Sequence, residues 1–276
     1  MKTLVLNSTN LNKSDSTNSE YIYKFPNAVL LNNEEISFGS MKVYYSWRNI
    51  TASFSNNTLS YKWINGTTYT LTFVDGFYLI SDLNSYLQSY LITNGHYLIN
   101  DSGNYVYYLE ITTNSTTYNV ELRAYSIPTA LPSGWTAPSG FVFPSTVKTA
   151  QFVVPSTNIQ KIFGIYAGTY PSESQASSYV KTSDYVPQVS PIQSLFLSCS
   201  LLNNSYSYPT NILTSFTPDS TYGSLLNIES KALIFNDVQS GYYTDIRLRF
   251  LDQDYNPVTI LDTNLVILLV IKNKNE

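Results

Sequence analysis

From Tyr21 onwards, apolar and polar positions alternate with a period of two along most of the chain, and that pattern predicts strands. Val43, Tyr45 and Trp47 share one face against Lys42, Tyr44 and Ser46. Leu59, Tyr61 and Trp63 alternate with Ser60 and Lys62, and Tyr69, Leu71 and Phe73 with Thr68, Thr70 and Thr72. Asn65-Gly66 between these two runs is a strong hairpin turn, because both residues tolerate the left-handed backbone that a tight turn requires. One helix interrupts the strands. Leu83, Leu87 and Leu91 stack at intervals of four, Tyr86 and Tyr90 widen the stripe, Ser81 or Asp82 is expected to cap it, and Asn94-Gly95 ends it. Strands resume at Tyr97–Asn100 and Tyr105–Thr112, and another should place Tyr118, Val120 and Leu122 on one face.

Residues 126–191 change character. Eight of the chain's 12 prolines fall there, so long loops are expected around a short strand at Gln151–Val154 and a helical turn near Asn158–Phe163. The stretch reads as an elaborated loop or a small insertion. Clean alternation returns afterwards: Leu195, Leu197, Cys199 and Leu201 face one way, and Ile246, Leu248 and Phe250 oppose Arg247 and Arg249. Leu265–Ile271 has no polar alternation, as in a strand covered on both faces. Residues 1–20, polar and rich in Asn, Ser and Thr, are expected to form a flexible arm. Many short strands, one helix and long loops predict an all-β chain, a single jelly-roll β-sandwich spanning residues 21–276.

Composition sharpens this. Of 276 residues, 43% are hydrophobic, enough for a sizeable core, yet only 12% are charged, about half the usual share, while tyrosine supplies 25. An AT-rich coding sequence accounts for part of the Asn, Tyr and Ile excess, although not for the scarcity of Lys. A weakly charged, tyrosine-rich surface suits contact with other protein. The net charge is −4 and no basic block occurs, which argues against direct nucleic-acid binding. Met1–Asn10 has no apolar run of signal-peptide length, so export by the usual route is not expected. The sequons Asn49-Ile50-Thr51 and Asn65-Gly66-Thr67 therefore read as compositional accidents. The longest apolar run, Leu265–Ile271, is too short to span a bilayer, and membrane insertion is not expected.

Candidate chemistry is sparse. His96 is the single histidine, so any Ser-His-Asp or Cys-His arrangement must use it, and it has no Gly-x-Ser-x-Gly elbow beside it. Cys199 lies on the apolar Leu195–Leu201 face, the place of a small buried hydrophobe and not of a nucleophile. One His and one Cys cannot make a zinc site. Asp252-Gln253-Asp254-Tyr255-Asn256 opens like a calcium loop, but Pro257 stands where that loop needs Gly and Thr263 where it needs Glu, so a polar turn is expected. No phosphate-cradling Gly-rich loop occurs. Paired carboxylates for glycoside hydrolysis need no fixed spacing and stay open. No catalytic, cofactor-binding or metal-ligating residue is assigned, and no cofactor.

Several stretches carry a family likeness. They include Tyr44-Tyr45-Ser46-Trp47-Arg48-Asn49-Ile50, Asn57-Thr58-Leu59-Ser60-Tyr61-Lys62-Trp63, and Asp75-Gly76-Phe77-Tyr78-Leu79-Ile80-Ser81-Asp82-Leu83-Asn84-Ser85-Tyr86-Leu87-Gln88 leading into Asn94-Gly95-His96-Tyr97-Leu98. Leu131-Pro132-Ser133-Gly134-Trp135 and Cys199-Ser200-Leu201-Leu202-Asn203-Asn204 follow. From about Glu20 to the C-terminus the chain resembles the penton, or minor capsid, proteins of virophages and of Polinton-like (Maverick) viruses and elements, and Asp75–Gln88 is the most specific part. The resemblance implies a single jelly roll in the virion. Five copies would close each icosahedral vertex of a capsid whose faces are a double jelly-roll major capsid protein, with synthesis in the host cytoplasm or viral factory. It implies no catalytic or ligand residues.

Two other readings remain open. One is a carbohydrate- or receptor-binding module, since tyrosine-rich loops also stack on sugars, and a penton with an elaborated 126–191 region could bind a host receptor or glycan as well. The other is a β-sandwich glycoside hydrolase, which a chromogenic glycoside screen would test.

Overall fold

A computed structural model describes residues 1–7, 9–13 and 19–275. The chain divides into two compact units: residues 1–47 with 192–276, and residues 48–191 inserted between them. The first unit opens with β1 (Lys2–Asn7), β2 (Leu11–Lys13), β3 (Glu20–Leu31) and β4 (Glu34–Tyr44). The second carries β5 (Thr58–Lys62), β6 (Thr68–Thr72), α1 (Ile80–Thr93), β7 (Tyr97–Ile99), β8 (Tyr105–Tyr107), β9 (Leu109–Asn114), β10 (Asn119–Ala124) and β11 (Ser126–Ile127). It continues with β12 (Lys148–Thr149), β13 (Gln151–Val154), α2 (Ile159–Phe163), β14 (Gly168–Tyr170) and β15 (Tyr179–Thr182). The first unit resumes with β16 (Leu195–Cys199), β17 (Ile212–Phe216), β18 (Leu225–Glu229), β19 (Asn236–Asp237), β20 (Gly241–Leu251) and β21 (Val266–Asn273).

The pairing within the first unit identifies its architecture. β1 pairs with β21, β3 with β20, β4 with β18 and β16 with β17, all antiparallel. That is one long ribbon in which the first strand meets the last and each later strand meets the next one in. The ribbon is rolled so that β21 also joins β4, and β20 also joins β16. The result is two sheets, β1-β21-β4-β18 and β17-β16-β20-β3, with β19 added beside β4 and β2 at the open side of β3. Two sheets so connected are a jelly roll, as the alternation predicted. Their apolar faces supply the core: Met41, Val43, Ile267 and Leu269 from one, and Leu197, Cys199, Leu248 and Phe250 from the other.

Three expectations are corrected. Residues 1–20 are not an arm without structure: β1 is hydrogen-bonded along its length to β21, and β2 to Tyr21–Tyr23. Local composition hid this because the partner of β1 lies at the opposite end of the sequence; residues 8 and 14–18 of the expected arm lie outside the described residues. The insertion is not confined to residues 126–191. It runs from Arg48 to Pro191 and so takes up most of what read as jelly-roll strands between 58 and 124. Thirdly, β21 is covered on both faces only over Leu269–Ile271; at its start Val266 is exposed and Leu268 half-buried.

The second unit has its own core. β14-β13-β5-β6 form one sheet and β15-β10-β9 another, with the small ribbons β7-β8 and β11-β12. The Asn65-Gly66 turn closes β5 onto β6 as expected, with Gly66 at φ 85°. Leu83, Leu87 and Leu91 of α1 are fully buried. Burying each such side chain contributes about 2 kcal/mol before ordering costs are counted. The Tyr86 and Tyr90 hydroxyls donate to the carbonyls of Thr72 and Thr70, and the Asn84 side chain accepts the Ile111 amide, fixing α1 to β6 and β9. The cap differs from the expectation. Leu79 is the N-cap residue, and Asp82, in the first turn, accepts the Leu79 amide at 2.8 Å. Tyr118 does not join the Val120–Leu122 face; it sits at φ 53° in the preceding turn and is exposed.

The two ends of the inserted unit meet at Asn49. Its buried side-chain amide donates to the carbonyls of Val189 (2.9 Å) and Tyr78 (2.8 Å), and its oxygen accepts the Tyr78 amide (2.8 Å). With every polar atom engaged inside the fold, Asn49 is a structural residue, in keeping with the reading of its sequon as accidental.

Candidate functional site

The residues singled out for chemistry fall in separate places. Cys199 is wholly enclosed in the jelly-roll core, where burial pushes its thiol up to about 12. At neutral pH it carries no thiolate and acts as a small hydrophobe. Asp252 closes a polar turn: its Oδ1 accepts the amides of Asp254 (2.9 Å) and Asn256 (2.8 Å). Among the described residues no group of three or more His, Cys, Asp or Glu side chains is placed to hold a metal ion.

Glu110 on β9 and Glu121 on β10 form a carboxylate pair gathered around one arginine. Arg123 lies between them, bonded to Glu121 at 2.7 Å and 3.9 Å from Glu110, while the Tyr125 hydroxyl donates to Glu110 at 2.6 Å. The Arg123 and Asn114 hydrogen bonds hold the Glu121 carboxyl below its usual range. Glycoside hydrolysis needs one carboxyl raised so that it can donate a proton at neutral pH. Glu121 is shifted the other way, and the pair is an ion network across neighbouring strands.

His96 is more informative. Gly95, at φ 69°, ends the helix, and the His96 amide bonds back to the Leu91 carbonyl at 2.8 Å, which turns the ring inward just before β7. The imidazole stacks on Trp63 at the end of β5, with centroids 4.1 Å apart and planes at 11°, and meets Tyr69 of β6 edge-on at 4.7 Å. Its Nδ1 lies 2.7 Å from the hydroxyl of the fully buried Tyr61. The tautomer decides which atom donates in this bond; with the phenol donating, its fully enclosed hydroxyl proton is paired, and in that tautomer the imidazole proton sits on Nε2. Burial lowers the His96 pKa to about 4 and keeps the ring neutral at physiological pH. His96 is only 6% exposed, and its Nε2 has no partner among the described residues.

The ring forms part of the wall of a cavity of about 420 Å³ that lies wholly within the second unit. Trp63, Ile64, Tyr69, Phe141 and Phe143 give it an apolar lining, and Asn65, Asn94, Ser139, Ser145 and Lys148 a polar one. Sequence reasoning placed His96 at a helix stop and missed the cavity. The parts come from the Asn65-Gly66 hairpin, the α1 terminus and the loop around Gly140, and no linear spacing links them.

A second feature lies on the jelly roll. On the outer side of its first sheet, β21 presents Val266 (38% exposed) and the half-buried Leu268, with Val5 (48%) of β1 opposite Leu268. Farther across the sheet, Tyr44 (46%) of β4 pairs with Leu225 (49%) of β18. Two charged groups share this side, Lys42 opposite Val266 and Asn227, and Glu229 of β18 opposite Ser40, in the row of Leu268.

No protein-family model matches the sequence, and no curated protein matches it either. Among solved structures, the chain is similar to a mavirus penton protein, with 11% identity, 99% of each chain covered and a TM-score of 0.44. It is also similar to a chain of the 3.5 Å cryo-EM structure of the Sputnik virophage, with 13% identity, 99% of this chain and 98% of that one covered, and a TM-score of 0.41.

Proposed function

We propose that the chain is a viral capsid protein of the penton type, a vertex subunit of the virion that works by closing a ring with copies of itself. The observation that carries this reading is the apolar outer side of β21 at its start, Val266–Leu268. Its sequence is that of a strand covered on both faces, whereas in the single chain Val266 and Leu268 are left in contact with solvent. A neighbouring copy supplies the missing cover. In a head-to-tail ring the patch meets a different surface of the next subunit, so the contact closes without self-complementarity. The number five, the vertex position and the double jelly-roll neighbour follow from the family resemblance of Tyr44–Ile50 and Asp75–Gln88.

On this reading the chain needs no catalytic chemistry, and a chromogenic glycoside screen is expected to give no turnover. The direct test is mass photometry of purified protein across concentration, with negative-stain microscopy of the largest species. Five-membered rings are expected, and Val266→Glu should suppress them while leaving the monomer folded. A sample that stays monomeric at every concentration, or rings indifferent to Val266→Glu and Leu268→Glu, would count against the proposal.

A further inference from the structure

We propose that the His96 cavity of the inserted unit is a binding site for an acidic sugar, a uronic or sialic acid residue of a glycan. The first argument is the unused donor. His96 is a nine-tenths buried polar side chain on the cavity wall, and with the Tyr61 hydroxyl donating to its Nδ1, Nε2 carries a proton with no acceptor among the described residues. Nε2 is not among the enclosed unpartnered atoms of the described residues, so it opens on the cavity, where a ligand oxygen can take the place of water.

The remaining polar groups favour a polyol over a small planar anion. Asn65 uses its side-chain oxygen on the Thr67 amide, which leaves its NH2 available; Asn94 uses its NH2 on the Tyr90 carbonyl, which leaves its oxygen. The cavity thus offers separate donors and acceptors, with two serine hydroxyls that serve as either. Sugar hydroxyls need such mixed partners, and the C–H faces of a sugar ring pack on Trp63, Tyr69 and Phe141. The volume of about 420 Å³ lies in the small-molecule range of about 300–1,000 Å³.

Charge selects the acidic class. No Asp or Glu lines the cavity, although the chain as a whole is acidic at −4. Lys148 is the cationic lining residue, and it forms no ion pair among the described residues. A carboxylate on the sugar would meet the ammonium in a charge-assisted bond.

This inference does not depend on ring formation: a monomer could hold the sugar, and a ring could form without it. The test uses the full chain, with saturation-transfer NMR and calorimetry. The probes are methyl β-D-glucuronide, the methyl glycoside of N-acetylneuraminic acid, methyl β-D-glucoside and acetate. At least one acidic glycoside should bind about tenfold more tightly than the glucoside, a preference that Lys148→Gln removes. Phe141→Ala should weaken every sugar, and acetate should not compete at equal concentration. His96→Gln should weaken binding too; because it also touches the Tyr61 bond, Lys148→Gln is the deciding variant. Failure of both acidic glycosides to receive saturation would overturn the proposal. So would an acidic preference that survives Lys148→Gln, or full displacement by acetate.

Discussion

In the jelly roll, most strands that pair are distant in sequence: β1 with β21, β3 with β20, and β4 with β18. In the inserted unit they are mostly neighbours, β5 with β6, β7 with β8, β9 with β10 and β13 with β14. Distant pairing requires large loops to be closed before any contact forms, which is slow, whereas hairpins close at little entropic expense. The insertion lengthens the gap between β4 and β16, yet Asn49 and Val189 hold its own ends together, so a folded insert spans that gap as a short connection would. The polar economy differs as well. The jelly-roll core encloses an inert thiol, while the core of the insert carries a neutral histidine beside a cavity.

The largest effects should separate the two units. Phe250→Ala in the jelly roll should cost about 3–5 kcal/mol and Leu87→Ala in the insert about 2–5 kcal/mol, since both side chains are fully enclosed. Calorimetry should show each substitution lowering chiefly the transition of its own unit, and a single merged transition shifted equally by both would break the contrast.

Acid should act on the insert next. An unfolded imidazole takes its proton near pH 6.5, but His96 holds off until about pH 4. Between those values the unfolded chain binds more protons than the folded one. The stability contributed by the neutral ring is therefore complete above pH 6.5, declines as the pH falls, and levels off below about 4, a loss of about 3 kcal/mol. Denaturation curves across this window should show the decline, and His96→Gln should flatten it. Trp63 offers a second readout, because charging the stacked imidazole should quench its fluorescence with a midpoint near pH 4.

Asn49→Ala should cost about 2 kcal/mol by orphaning the Val189 and Tyr78 groups, with faster hydrogen exchange at the Tyr78 amide. The smallest effect on folding belongs to the outer sheet face. Val266→Lys should change stability by less than about 0.5 kcal/mol while disrupting self-association, a split that a purely structural role for the residue would not give.

Much of this fold was legible in the sequence, and what escaped has a common cause. Period-two runs such as Leu59–Trp63 and Ile246–Phe250, the Asn65-Gly66 turn and the Leu83–Leu91 stripe are local signals, and each corresponds to the element observed. Alternation states which face of a strand is buried but not which sheet it joins. The passage from Val43-Tyr45-Trp47 into Ile50 and Leu59 therefore looks continuous, although a unit boundary lies at Arg48. The prolines after Ser126 mark irregular loops inside the insert and not its beginning. β1 escaped because six residues among Asn, Ser and Thr carry little signal without the partner strand. The surroundings of His96 escaped because tertiary packing alone brings Tyr61, Trp63 and Tyr69 to it.

The Asn49–Val189 clasp makes the insert a cassette. A segment that enters and leaves at one point can be exchanged for another, or cut back to a short linker, without altering the register of the eight-strand ribbon. A lineage carrying this arrangement can diversify its insert while the sheet pairing of the jelly roll stays constant. A laboratory can do the same, grafting foreign domains between β4 and β16.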